Sequence, residues 1–146
     1  MNLQDTIDFH IKSAWHSLTK MYNCIAAQYG TSQTVAYILV NIDKEGTPAT
    51  KIAGRLGMEP TSLSRTLKKM EDQALIYKEM DANDKRIMKI FLTEIGIEKR
   101  KLVKEIVLNF NEKLLQKISG SDLKAFYKVI DAINILAFNE NPSKYK

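Results

Sequence analysis

Between Thr47 and Ala74 the chain carries two short runs of helical periodicity, separated by Gly57 and then, three residues later, Pro60. Glycine ends a helix by taking the left-handed conformation, and proline opens one at a position whose N–H has no partner anyway. The pair therefore dictates two short helices joined by a tight turn. Thr47-Pro48 predicts the start of the first, with the Thr47 hydroxyl as N-cap and Pro48 at the first helical position, while Ile52, Ala53 and Leu56 line its inner face. In the second, Leu63, Leu67, Met70 and Ala74 recur at four, three and four residues and define the core side. At helical rotation Arg65 falls about 160° around from that line, flanked by Thr61, Ser62, Lys68 and Lys69, with Ser64 beside it. One face is apolar; the other is cationic and rich in hydroxyls.

The flanking segments complete the fold class. From Thr6 to Tyr29 the apolar residues Ile7, Ile11, Trp15, Leu18, Tyr22, Ile25 and Tyr29 keep helical spacing, and Gly30 stops the helix. Val35–Ile42, behind the cap candidates Thr31 and Ser32, reads as a short buried helix. Ile76–Met80 and Met88–Leu92 are β-compatible runs around Asp81-Ala82-Asn83-Asp84 and Lys85-Arg86, a β-hairpin with a charged tip. Thr93 caps a long helical region that runs to Ile118, about 39 Å at helical rise. After Ser119-Gly120-Ser121, a last helix is marked by Leu123, Phe126, Ile130, Ile133 and Ala137. The class is mainly α with a small β-hairpin wing. A winged helix-turn-helix lobe, residues 32–92, interrupts a helical region formed by residues 1–31 and 93–146. The apolar stripes at Ile7/Ile11 and Ile130/Ile133 exceed what one small lobe can cover and predict a two-fold homodimer.

Composition narrows the function. The 146 residues include 22 Lys+Arg against 17 Asp+Glu, a net charge of +5, which suits a polyanionic partner. A single cysteine, Cys24, excludes an internal disulfide and a cysteine zinc site, and two histidines six residues apart, His10 and His16, do not share a helical face. We expect no metal and no cofactor. There is no Gly-rich phosphate loop, nucleophile elbow or zinc motif, so an enzyme is not expected. No apolar run approaches a bilayer-spanning length, and Asp5, Asp8, Lys12 and Lys20 punctuate the N-terminal stretch, which points to a cytoplasmic protein. A helix with this face fits the major groove of duplex DNA. Arg65 suits bidentate contact with guanine, Thr61, Ser62 and Ser64 suit phosphates or bases, and Lys68 and Lys69 add sequence-independent attraction. The hairpin tip, with Lys85 and Arg86, reaches the neighbouring minor groove.

Four stretches resemble the MarR family of bacterial transcriptional regulators: Thr50-Lys51-Ile52-Ala53-Gly54-Arg55-Leu56-Gly57, Ser62-Leu63-Ser64-Arg65-Thr66-Leu67, Asp81-Ala82-Asn83-Asp84-Lys85-Arg86, and Leu92-Thr93-Glu94-Ile95-Gly96. The acidic wing turn ending in Arg, followed by Leu-Thr-x-x-Gly opening a long helix, is the most specific of them. The resemblance implies a homodimer joined through its first and last helices, with Asp84 shaping the wing and Arg86 entering the minor groove. It implies repression at a pseudo-palindromic operator in double-stranded DNA, and a small aromatic or phenolic effector bound between the helical region and the DNA-binding lobe, near Trp15 and Leu18. Ala74 departs from the pattern, because the family commonly has Gly there. If the position needs positive φ, Ala costs about 1 kcal/mol.

Several residues have a plainer reading. Trp15, Tyr22 and Tyr29 share a stripe that is more economically core or dimer interface than effector pocket. Cys24 has no second cysteine to resolve an oxidised form and reads as a small packed residue. The alternative for the whole chain is a winged helix used for protein contact without specific DNA binding.

Overall fold

A computed structural model describes residues 2–141 and Ser143; Met1, Pro142 and residues 144–146, at the outer ends of the expected helical region, lie outside the described residues. After a 3-10 turn at Leu3–Asp5, the elements are α1 (Ile7–Gln28), α2 (Gln33–Val40), β1 (Thr47–Pro48), α3 (Ala49–Leu56), α4 (Pro60–Asp72), β2 (Ile76–Met80), β3 (Met88–Leu92), α5 (Glu94–Leu115) and α6 (Gly120–Asn139). The chain forms two compact units, Met1–Lys104 and Glu105–Lys146.

The first unit is built around the helix-turn-helix. Its core joins Ile38, Leu39 and Ile42 after and within α2 to Ile52 of α3, Leu63, Leu67 and Met70 of α4, and Leu75, Ile76 and Ile90 around the sheet. The apolar line of the second short helix is therefore the side that packs. Ser32 caps α2 by accepting the Val35 N–H. Gly57, at φ 60°, ends α3, and Pro60 opens α4, as the punctuation predicted.

Thr47 corrects the expected cap. Pro48 occupies the N-cap of α3 and makes no side-chain cap bond. Thr47 and Pro48 instead form a third strand, with Thr47 opposite Ile90 and Pro48 opposite Lys89, so the antiparallel sheet runs β1-β3-β2. The fully buried Thr47 hydroxyl accepts the Asp43 N–H at 2.8 Å and closes the loop before the strand. A proline tolerates this place because β1 lies at the sheet edge, where its missing donor breaks no ladder.

Ala74 is the one non-glycine residue with positive φ among the described residues, at 55°. The Leu75 N–H donates to Met70 O and the Ala74 N–H to Glu71 O, the paired bonds of a helix ended by a left-handed residue. Ala74 thus lies beyond the helix and exposed, and the left-handed turn is kept despite the methyl group. Ala74→Gly is expected to raise unfolding stability by about 0.5–1 kcal/mol, read from a urea melt with an unchanged slope.

Immediately beyond lies the joint between α4 and α5. The Thr93 N–H donates to Leu75 O at 3.1 Å and its hydroxyl to Ala74 O at 2.6 Å, while the same hydroxyl accepts the Gly96 N–H at 3.0 Å. A Cβ on Gly96 would stand 2.0 Å from Leu75 O. The Leu-Thr-x-x-Gly stretch is the device by which α5 starts against the end of the preceding helix.

The second unit contains the rest of α5 and α6. Ser119 and Asp122 form a capping box at the start of α6, each side chain accepting the other's backbone N–H. No residue of α6 is buried, although Phe126, Tyr127, Val129, Ile135, Leu136 and Phe138 are large and apolar.

Candidate nucleic-acid interface

Leu63, Leu67 and Met70 fix the rotation of α4 about its axis, and that rotation turns Thr61, Ser62, Ser64, Arg65, Lys68 and Lys69 to the exposed side. The side chains of Arg65 and Lys69 stand exposed and make no hydrogen bond or ion pair among the described residues. Lys68 is tied to Asp72 at 2.8 Å, one turn on. Both partners are exposed, so the pair contributes little and yields readily to a competing anion. Thr66, which the resemblance includes, spends its one hydroxyl proton on Ser62 O at 3.0 Å and is left as an acceptor only.

The wing is held by two aspartates. Asp81 Oδ1 accepts the Asn83 and Asp84 N–H groups, and its Oδ2 meets Lys89 Nζ at 2.6 Å. The Lys89 ammonium first, and then those two N–H groups, hold the Asp81 carboxyl down at about 2. Asp84 Oδ1 accepts the Arg86 N–H at 3.0 Å and Nε at 3.1 Å, and its Oδ2 accepts from Nη2 at 3.3 Å. The Arg86 guanidinium, 92% exposed, is therefore aimed before it meets anything. It also holds the Asp84 carboxyl below the usual carboxylate range. Lys85 stands beside it, exposed and unpaired among the described residues.

Sequence reading named Asp84 and passed over Asp81 as a site-shaping residue, although Asp-x-Asn-Asp is a turn-forming pattern that signals such bonds. It also passed over Arg55 and Arg100. Arg55 donates to Asn41 O at 2.9 Å and to Asp43 at 3.2 Å; Arg100 donates to Ile42 O at 2.8 Å. Together they pin the loop that precedes β1. Arg100 had no local signal, since its partner lies 58 positions away in the chain.

Within the first unit, Trp15 is half-exposed and stacks on Tyr37, ring centroids 6.0 Å apart, and Leu18 is half-buried. Nearby, Asn23 Oδ1 accepts the Gln33 N–H at 3.0 Å, and buried Gln33 donates from Nε2 to the Tyr37 hydroxyl at 3.1 Å. Burial, and then Tyr37, push the Tyr22 hydroxyl up. Cys24 is exposed, which overturns its reading as a packed residue. It lies one position off the α1 stripe at Ile25, and a step of one residue turns a helical side chain by about 100°. Among the described residues no cluster of His, Cys, Asp and Glu could hold a metal ion, and no helix is long and apolar enough to cross a membrane.

The pattern of a cationic helix beside an acidic-basic wing turn extends to sequence families. Residues 29–87 match the MarR family. The MarR match runs from the end of α1 through the helix-turn-helix to the wing loop. Solved MarR-type structures share the fold across nearly the whole chain. A MarR/EmrR family transcriptional regulator from Acinetobacter sp. ADP1 has a TM-score of 0.83 at 20% identity, covering 95% of this chain and 99% of its own. CouR from Rhodococcus jostii RHA1, bound to p-coumaroyl-CoA, has a TM-score of 0.80 at 20% identity over 91% and 94%. The MepR–DNA complex of S. aureus has 0.78 at 20% identity over 88% and 95%. Among the described residues, six α-helices and a three-stranded sheet reproduce the fold of these solved MarR-type structures.

Proposed function

We propose that this chain is a sequence-specific double-stranded-DNA-binding regulator, working in the cytoplasm as a homodimeric repressor that a small molecule releases. The observation that carries the reading is the uncommitted state of Arg65 and Lys69 on a helix whose rotation is fixed by its buried face. Thr61, Ser62, Ser64, Arg65, Lys68 and Lys69 meet the major groove; Lys85 and Arg86 meet the adjacent minor groove, with Asp84 keeping the guanidinium extended. These are binding roles, and no catalytic group is assigned.

Arg65→Ala is expected to cost about 1–3 kcal/mol of binding and to relax base preference at one position per half-site. Lys69→Ala weakens all sequences alike and lowers the salt slope by about one. Titrations against a selected and a scrambled duplex separate the two. Equal losses on both duplexes for Arg65→Ala would make it a phosphate contact.

Two further parts belong to the proposal. Residues 32–92 form the DNA-binding lobe, and residues 1–31 and 93–146 the dimerisation region, whose exposed apolar side chains on α1 and α6 are covered by a second copy of the chain. The effector, a small aromatic or phenolic compound, binds near Trp15 and Leu18; the CouR structure bound to p-coumaroyl-CoA supports ligand binding on this fold. Because α5, part of the dimerisation region, starts on the α4 joint, a ligand that favours one dimer geometry changes the spacing of the two recognition helices. A coupling of about 1–3 kcal/mol changes operator affinity some 5–150-fold.

A further inference from the structure

The hairpin carries more apolar surface than the fold uses. On its core-side face, Ile76 pairs with Leu92 and Lys78 with Ile90, and the row continues to the cross-strand pair Met80–Met88. Ile76 and Ile90 are buried, whereas Met80 is 62% and Met88 41% exposed. The row thus extends one pair past the helices that cover it. Met88 lines a cleft of about 360 Å³ together with Thr50 and Ala53 of α3, Pro60 and Ser64 of α4, and Lys78, the last held by Glu71 at 3.1 Å. Beyond this pair, the tip from Asp81 to Ile87 balances Asp81 and Asp84 against Lys85 and Arg86 and carries no net charge. Long-range attraction is therefore not what this part of the wing supplies.

We propose that this cleft seats the sugar–phosphate strand that separates the major groove from the minor groove, with the phosphate at the Thr50 and Ser64 hydroxyls and deoxyribose packed against Met88 in the cleft and against its cross-strand partner Met80 outside it. The inference rests on the DNA-binding reading above. A helix in one groove and a wing in the next are separated by one backbone strand, and the surface between them faces that strand. The cleft is lined by Ser64 of the recognition helix and by Met88, where the second hairpin strand leaves the wing loop. Its mostly apolar lining, with the Thr50 and Ser64 hydroxyls, matches the alternation of sugar and phosphate. Methionine, unbranched and polarisable, fits a sugar face that varies in pucker.

An apolar contact with sugar has a signature of its own: it is blind to sequence and carries no charge. The double variant Met80→Ser/Met88→Ser is expected to lose about tenfold in affinity for selected and scrambled duplexes alike. Its salt slope should stay that of the wild type, whereas Arg86→Ala lowers the slope by about one. It should keep the wild-type circular dichroism and a cooperative melt, because neither side chain belongs to the buried core. Unchanged affinity, a loss confined to one sequence, or a fall in salt slope would each overturn the contact. Failure of the wild-type protein to bind any duplex would instead overturn the DNA-binding reading itself.

Discussion

Gly96→Ala is expected to destabilise the protein by about 3 kcal/mol or more. The new carbon would stand 2.0 Å from the Leu75 carbonyl oxygen, which is backbone and cannot rotate away. That oxygen also accepts the Thr93 N–H, so moving it breaks the bond that starts α5 against the end of α4. Relief requires α5 to slide off the joint or Ala74 to leave its left-handed turn, and either disturbs the buried Leu75 and Ile76. Gly54→Ala is the internal control. A Cβ there meets nothing within 4 Å, so the same change in the exposed interior of α3 should gain about 0.5–1 kcal/mol. Urea melts of the two variants should move in opposite directions. Equal, small shifts would mean that α5 does not rest on Leu75.

Leu136→Glu is expected to weaken self-association at least about 100-fold and to yield monomer at micromolar concentration. Leu136 is 61% exposed on α6, beside Ile135 and Phe138, and α6 buries no residue in the single chain. A helix of that composition is stable in water only when its outer face is covered. A carboxylate in such an interface either stays charged without a partner or takes up a proton, and both oppose association. Because the side chain is exposed in the single chain, the variant should keep its helical circular dichroism while its sedimentation changes. A wild-type dimer with an unaffected Leu136→Glu dimer would move the interface away from this part of α6.

The sequence disclosed most where a period repeats. The four-three spacing of Leu63, Leu67 and Met70 set the rotation of α4, and with it the exposed side on which Arg65 and Lys69 stand. Both hairpin strands came out at Ile76–Met80 and Met88–Leu92, because five residues of β-compatible side chains on either side of an Asp-Asn-Asp turn leave little room for another register. The third strand did not, since Thr47-Pro48 satisfies the chemistry of a helix start equally well and two residues show no alternation. Only the long-range pairing with Ile90 decides between them. Ala74 marks the opposite limit: a left-handed turn at alanine contradicts local preference, and the backbone bonds to Met70 and Glu71, with the Thr93 hydroxyl on Ala74 O, outweigh it. Cys24 and Asp81 failed for smaller reasons, one by a single step around a helix and the other because turn composition predicts a bend without saying which oxygen makes it.

The most direct test of the account is selection: immobilised full-length protein, incubated with fragmented genomic DNA, washed at low salt, and the retained fragments sequenced. Sequence-specific recognition by two copies of the chain predicts an inverted repeat whose half-sites lie about 10 bp apart, enriched by the wild type and blurred at one position per half-site by Arg65→Ala. Fragments retained without a shared sequence, or no duplex retained even at low salt, would contradict the account and leave the winged helix as a protein-contact module.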